Sequence, residues 1–176
     1  YSRQETVPFS VRGGAKPLIL GSTLYAGFSD GVLVGLEASK GTVKWEKILN
    51  RGKKFKDLDS SIVSDGLSLF VAGYDDAIYS VAPTTGEINW KLNKGAFGAV
   101  TWSADRLWAS TSQGEVICLD RASGKEIWTQ KLKYGIGNQP VLYKGLVIVG
   151  ESSGSLRFFD SASGKPVGSF EPGKGL

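Results

Sequence analysis

The sequence predicts an all-β chain built as a β-propeller, with four repeated units of four strands each. Three observations predict it. The first is a turn-and-tryptophan element that recurs at Gly41–Trp45, Gly86–Trp90 and Gly124–Trp128, then in altered form at Gly164–Gly168. Its glycines step by 45, 38 and 40 residues, a period that belongs to stacked supersecondary units. The second is the period-2 alternation of apolar residues between turn signals, as in Val32-Leu33-Val34-Gly35-Leu36 and Glu115-Val116-Ile117-Cys118-Leu119. The third is that no segment carries an i, i+3, i+4 apolar stripe long enough for a helix.

Each unit opens with a half-buried apolar run: Pro17–Leu20, Ser61–Val63, Ala99–Trp102 and Pro140–Tyr143. A polar turn follows, at Gly21-Ser22, Asp65-Gly66, Ala104-Asp105 and Lys144-Gly145. The second strand comes next, over Leu24–Gly27, Leu69–Gly73, Leu107–Ser110 and Leu146–Gly150. Tight reversals at Asp30-Gly31, Asp75-Asp76, Gln113-Gly114 and Ser153-Gly154 use residue types suited to hairpin turns. The alternating third strand then runs into a Gly turn and a short fourth strand that ends at the Trp. Four strands per unit, radially repeated, describe a propeller blade. The expected boundaries are an N-terminal segment over residues 1–12 and units over about 13–56, 57–95, 96–134 and 135–176.

Composition narrows the chemistry. A chain of 176 residues with 41% hydrophobic content is long enough to bury a core. It has no histidine and a single cysteine, Cys118. The commonest general base and metal ligand are therefore absent, and so is any disulfide within the chain. Cys118 sits in an alternating strand and reads as an inert core thiol. No run of about 20 apolar residues is present to cross a membrane as a helix. The sequence contains no Met, even at position 1, and so reads as a processed chain or an excised piece, with any lipid anchor lying upstream. The net charge of +4 owes much to Arg51, Lys53, Lys54 and Lys56. That cluster reads as a solvated loop at one face rather than a nucleic-acid site, because it has no stacking platform around it.

The stretch Leu119–Trp128, with its siblings Leu36–Trp45 and Val81–Trp90, resembles the tryptophan-docking repeat of quinoprotein-type propellers. That repeat class includes dehydrogenases that use pyrroloquinoline quinone and scaffolds without catalysis. In this element the Gly takes a left-handed turn and the Trp wedges against a neighbouring blade. Unit four has Gly168 where the others have Trp, which marks an atypical terminal blade.

Two further segments, Phe9-Ser10-Val11-Arg12-Gly13 and Asp57-Leu58-Asp59-Ser60-Ser61, resemble in order and spacing two loops of the BamB family. These are propeller lipoproteins of the outer-membrane β-barrel assembly machinery. Gln139–Gly145 is similar to a stretch of the same family, and the whole chain corresponds to the C-terminal half of the usual ring. The resemblance implies a non-enzymatic accessory subunit without cofactor or metal, at the periplasmic face of the outer membrane. It implies docking on a periplasmic POTRA domain of BamA through Phe9, Val11, Arg12, Asp57 and Asp59.

The residue types suit that role. Phe9 and Val11 alternate as an apolar anchor, and the Arg12 guanidinium can pair with a carboxylate or backbone carbonyls. Asp57 and Asp59 alternate as paired acceptors. Structural alternatives stay open for both: an N-terminal strand covering a blade edge for Phe9 and Val11, and blade-entry turn residues for Asp57 and Asp59. A glycosidase pair is disfavoured, since two such close carboxylates share one loop instead of flanking a substrate.

The dehydrogenase alternative lacks a Cys-Cys pair and any calcium-ligand spacing; Asp75-Asp76 reads as a hairpin turn. A general protein-interaction propeller is the remaining alternative. Four blades of an eight-bladed type would leave two blade faces open. The expected answer is a homodimer completing one ring. Exposed strand edges would also suit unfolded outer-membrane proteins, taken by β-augmentation.

Overall fold

A computed structural model describes residues 15–50, 58 and 60–172 of the chain. Among them, every regular element is a strand. The first sheet holds β1 (Leu18–Leu20), β2 (Thr23–Gly27), β3 (Val32–Glu37) and β4 (Val43–Ile48). The second holds β5 (Val63–Ser64), β6 (Leu69–Ala72), β7 (Ile78–Val81) and β8 (Ile88–Leu92). The third holds β9 (Thr101–Ser103), β10 (Arg106–Ser110), β11 (Glu115–Asp120) and β12 (Glu126–Lys131). The fourth holds β13 (Val141–Tyr143), β14 (Leu146–Gly150), β15 (Leu156–Asp160) and β16 (Pro166–Phe170). All four are antiparallel meanders in sequence order, one per repeat.

The expected four-stranded units are present, with two local differences. The first strand of unit two is Val63–Ser64, two residues later than the Ser61–Val63 run. Ile62 is instead a core residue, 4% exposed, ahead of the strand. The fourth strands also do not stop at the Trp. They continue to Ile48, Leu92 and Lys131, because the third strand goes on pairing with them beyond the Trp, as in Val32↔Ile48 and Glu115↔Lys131.

Middle strands carry the core. Both faces of β6, β7 and most of β11 are buried, as expected for sheets stacked face to face. Tyr25, Leu33, Leu69, Val71 and Tyr79 join units one and two. Phe70, Ile78, Leu107 and Ile117 join two and three, and Trp108, Cys118, Val147 and Phe159 join three and four. No core cluster among the described residues joins unit four to unit one. Polar clamps reinforce the stack. Arg121 pairs with the nearly buried Asp65 at 2.8 Å and lies over Trp102, and Arg106 reaches the carbonyl of Ala162 at 2.9 Å.

The tryptophans couple each unit to the next. Trp45 Nε1 donates to Pro83 O at 2.8 Å, Trp90 Nε1 to Arg121 O at 3.0 Å, and Trp128 Nε1 to Ser161 O at 3.1 Å. In each case the indole lies on a glycine of the following unit's turn. A Cβ on Gly86, Gly124 or Gly164 would meet the ring at 2.5, 2.6 and 2.6 Å. These glycines have φ of 73°, 71° and 73°, so the turn needs a glycine both for backbone shape and for ring clearance. All four sheets share an irregularity just beyond the Trp register, between Gly35/Leu36, Ser80/Val81, Cys118/Leu119 and Phe158/Phe159.

Candidate docking surface

The five residues expected to dock a partner, Phe9, Val11, Arg12, Asp57 and Asp59, all lie outside the described residues. What the structure does place is the frame around the second pair. Leu58, between the two aspartates, is 1% exposed and packs with Tyr25, Leu33 and Leu69 in the core between units one and two. Its amide donates to Phe28 O at 3.3 Å. Its backbone also presses on Gly27, where a Cβ would come within 2.8 Å of Leu58 O. Ser60 is buried and doubly bonded to Ala72, donating to its carbonyl at 2.7 Å and accepting from its amide at 2.9 Å. The connection between units one and two is thus pinned at Leu58 and again at Ser60.

Sequence reasoning singled out the aspartates and passed over the leucine that anchors them. No pattern marks that leucine in the sequence: a single apolar residue between two acids has no strand or helix period around it.

The same end of the stack carries the reversals between second and third strands and the other inter-unit connections. Asp76 lies in the reversal of unit two, where it accepts from the Tyr79 hydroxyl and pairs with Lys91 at 3.3 Å. Burial, then the hydrogen bond to Asp76, pushes the Tyr79 hydroxyl well above the ordinary tyrosine range. The same hydroxyl lies 3.0 Å from Leu49 O, so its one proton is shared between that carbonyl and Asp76, tying this reversal to the start of the connection. The expectation that Asp75-Asp76 is a hairpin turn fits this placement.

Beside it, Tyr74 and Phe97 form an edge-on aromatic pair, 6.3 Å between centroids, and both are exposed. Lys94 bridges Glu115 at 3.2 Å and Glu126 at 2.9 Å. Burial opposes the Lys94 charge, but the hydrogen bonds to Glu126 and Glu115 outweigh it and raise its pKa. At the last connection, buried Glu151 accepts the amides of Lys133 and Tyr134 and pairs with Arg157 at 2.9 Å. These groups fix loops to blades. No cluster of three or more His, Cys, Asp or Glu with metal-holding geometry occurs among the described residues.

Cys118 faces unit four beneath Trp128, fully buried. Burial pushes its thiol up to about 11, against a partial counter-effect of the Arg106 guanidinium. A thiol so placed is a packing group.

Stacked four-stranded meanders joined by indole-on-glycine contacts define a β-propeller of PQQ-like repeats. The pattern of the outer membrane protein assembly factor BamB family matches residues 1–97 and again 74–170, and the chain belongs to that family. It is 25% identical to outer membrane protein assembly factor BamB of Kangiella koreensis, over 90% of this chain and 42% of the relative. It is 24% identical to that of Pseudomonas aeruginosa, over 94% of this chain and 46% of the relative. The chain therefore spans about half the length of the curated relatives it matches.

Among solved structures, BamB from Moraxella catarrhalis superposes with a TM-score of 0.84 at 24% identity, covering 98% of this chain and 54% of the other. A quinohemoprotein alcohol dehydrogenase from Pseudomonas putida gives 0.73 at 10% identity, covering 88% and 34%. At such identities both show the fold alone. The relatives' name describes assembly of outer membrane proteins rather than a catalysed reaction.

Proposed function

We propose that this chain is a scaffold of the outer-membrane β-barrel assembly machinery that docks on a POTRA domain of BamA at the periplasmic face of the outer membrane. Family membership over both halves of the chain supports the assembly role. The observation that carries the docking reading is the connection between units one and two. Leu58 and Ser60 are held by the blades, so a partner reaching this connection would meet two fixed points beside the assigned aspartates. In this reading Asp57 and Asp59 supply acceptors, Arg12 a planar donor, and Phe9 and Val11 the apolar anchor. Exposed Tyr74 and Phe97 stand at the same end as further contact area.

The mechanism is positional. The propeller holds the assembly machinery in a working geometry, and free strand edges are available to unfolded outer-membrane proteins. Pairing of two chains belongs to the same reading, and each pair would carry two docking surfaces.

Titration of a purified BamA POTRA fragment into the chain, followed by calorimetry, tests it. Saturable binding that Arg12→Glu or Asp57→Lys abolishes, with the circular dichroism spectrum and unfolding midpoint unchanged, is the expected result. Binding indifferent to both substitutions removes the assigned residues; no binding removes the reading.

A further inference from the structure

The seam between units two and three departs from the repeat at two positions that touch each other. In each unit one amide–carbonyl bond closes the reversal between the second and third strands. These bonds are Phe28 N to Val32 O at 2.9 Å, Gly73 N to Ala77 O at 3.0 Å, Thr111 N to Glu115 O at 2.7 Å and Glu151 N to Ser155 O at 2.8 Å. The residue that follows is Ser29, Ser112 or Ser152 in units one, three and four, but Tyr74 in unit two. The incoming connection has a matching position, which bonds the carbonyl just ahead of that reversal. Ser60 fills it with its hydroxyl on Ala72 O at 2.7 Å, and Asn138 with its amide on Gly150 O at 2.9 Å. Ahead of unit three the residue is Phe97, its amide on Ser110 O at 2.9 Å. Aromatic rings thus replace small polar side chains at both positions, and the two rings meet edge-on.

Packing does not account for the exchange. Tyr74 and Phe97 are 38% and 43% exposed, and neither belongs to a core cluster. The seam is interior, with a blade on each side, so this exposure is independent of what stands beyond either end of the stack. The backbone beneath the rings is fixed. Ala96 N donates to Gly73 O at 3.2 Å and Ser112 N to Gly95 O at 3.0 Å, and a Cβ on Gly95 would overlap the carbonyl of Tyr74. Rings carried on fixed backbone are suited to anchor an interface, where aromatic side chains are enriched.

The charge beside the rings selects what covers them. Asp76 is taken up by Tyr79 and Lys91, and Glu115 by Lys94. Asp75 follows Tyr74 in the chain and is exposed, and its carboxylate makes no hydrogen bond or ion pair among the described residues. Two exposed rings beside one free carboxylate match an arginine or lysine side chain. Its stem covers apolar surface, its cation is drawn to a ring face, and its charge pairs with Asp75. Asp59 immediately precedes Ser60, the counterpart of Phe97 one seam earlier. A partner surface with a basic group for that acceptor therefore meets the same kind of demand at the neighbouring seam.

We propose that Tyr74, Phe97 and Asp75 form a cation-binding anchor of the docking surface, and that its occupant is an arginine or lysine side chain of the BamA POTRA domain. It rests on the docking reading and adds to it a second seam and a stated chemistry.

Calorimetric titration of a purified BamA POTRA fragment into the full chain tests it. Each ring is exchanged for a residue that the repeat carries at the same position elsewhere, as Tyr74→Ser and Phe97→Asn. Each exchange should weaken binding about tenfold with the unfolding midpoint unchanged, as for loss of an interface anchor. The two together should cost less than the product, because the rings touch. Tyr74→Phe keeps the ring and should bind like the unsubstituted chain. Asp75→Asn should weaken binding and flatten its salt dependence. Binding that Arg12→Glu abolishes while Tyr74→Ser and Phe97→Asn leave it unchanged overturns the anchor and keeps the docking reading. Ring exchanges that matter beside an Asp75→Asn that does not overturn the cationic occupant. A midpoint that falls with each ring exchange makes the pair a packing contact and overturns the assignment. No binding by the unsubstituted chain removes the docking reading and the anchor with it.

Discussion

Trp90 lies against the backbone of Gly124, one unit further along the chain, so closely that a Cβ there would come within 2.6 Å of the ring. The indole is anchored by its bond to Arg121 O at 3.0 Å and is 9% exposed. Ring, turn and hydrogen bond act as one coupling, and the coupling can be taken apart.

Trp90→Ala should destabilise the chain by about 3–5 kcal/mol, as for deletion of a buried aromatic. Urea unfolding followed by circular dichroism gives the value. A loss under about 1 kcal/mol would show that the indole is not part of the packed interface.

The turn glycines allow backbone strain and ring contact to be separated. Gly41 and Gly124 share nearly the same backbone, with φ of 68° and 71°, but only Gly124 carries an indole. Gly41→Ala should cost roughly 1 kcal/mol, the strain of a left-handed alanine. Gly124→Ala adds overpacking and should cost at least about 2 kcal/mol. Equal losses at the two positions would mean that the ring gives way freely.

Leu58 and Asp57 are neighbours with opposite expected behaviour. Leu58→Ala opens the core between units one and two and should lower stability by about 2–5 kcal/mol. Asp57→Lys should leave the unfolding midpoint where it is and remove POTRA binding. A midpoint that falls equally for both would make Asp57 a structural turn residue.

Acid should weaken the fold in a defined window. Hydrogen bonds from Ser123 and Ser163 hold the carboxyls of Asp120 and Asp160 below the usual range. Glu126 is also lowered, where bonds from Lys94 and Thr129 overcome the effect of burial. A depressed folded-state pKa contributes stability that is full above the unfolded value, about 3.9–4.3, and is lost as pH falls through the folded one. Stability should therefore be flat near neutrality and decline below about pH 4. Ser123→Ala combined with Ser163→Ala should make that decline shallower. Lys94 has a raised pKa, so its contribution is present below the unfolded lysine value and is lost only in strong alkali. An unchanged acid limb in the serine double variant would contradict the assignment.

Much of the stack was legible because its punctuation is local. The turns at Gly21, Gly31, Gly66 and Gly114 have positive φ where the sequence put reversals, and the alternating third strands are third strands. What was not legible depended on register. Gly168 stood out in the sequence as a missing Trp, but Phe158 could not be matched to it until the β15–β16 pairing was known. That pairing shifts by one residue immediately afterwards, and a shift of one reverses which side chains share a face. Leu58 was overlooked for a different reason: a single apolar residue in a polar connection carries no periodicity. The five expected docking residues lie outside the described positions, and what is placed beside the aspartate pair is Leu58 between them and Ser60 after them.

The indole couplings all point one way along the chain, each unit gripping its successor. Such couplings are interchangeable: excise one interior repeat and the Trp before the cut finds a turn glycine and a free carbonyl of the same kind after it. Blade number in this architecture is thus a quantity that duplication or deletion can change in whole steps without inventing a new contact. The exchange across β15 and β16, with Phe158 opposite Gly168 instead of a small residue opposite a Trp, is the place among these four units where such a step would need a different contact.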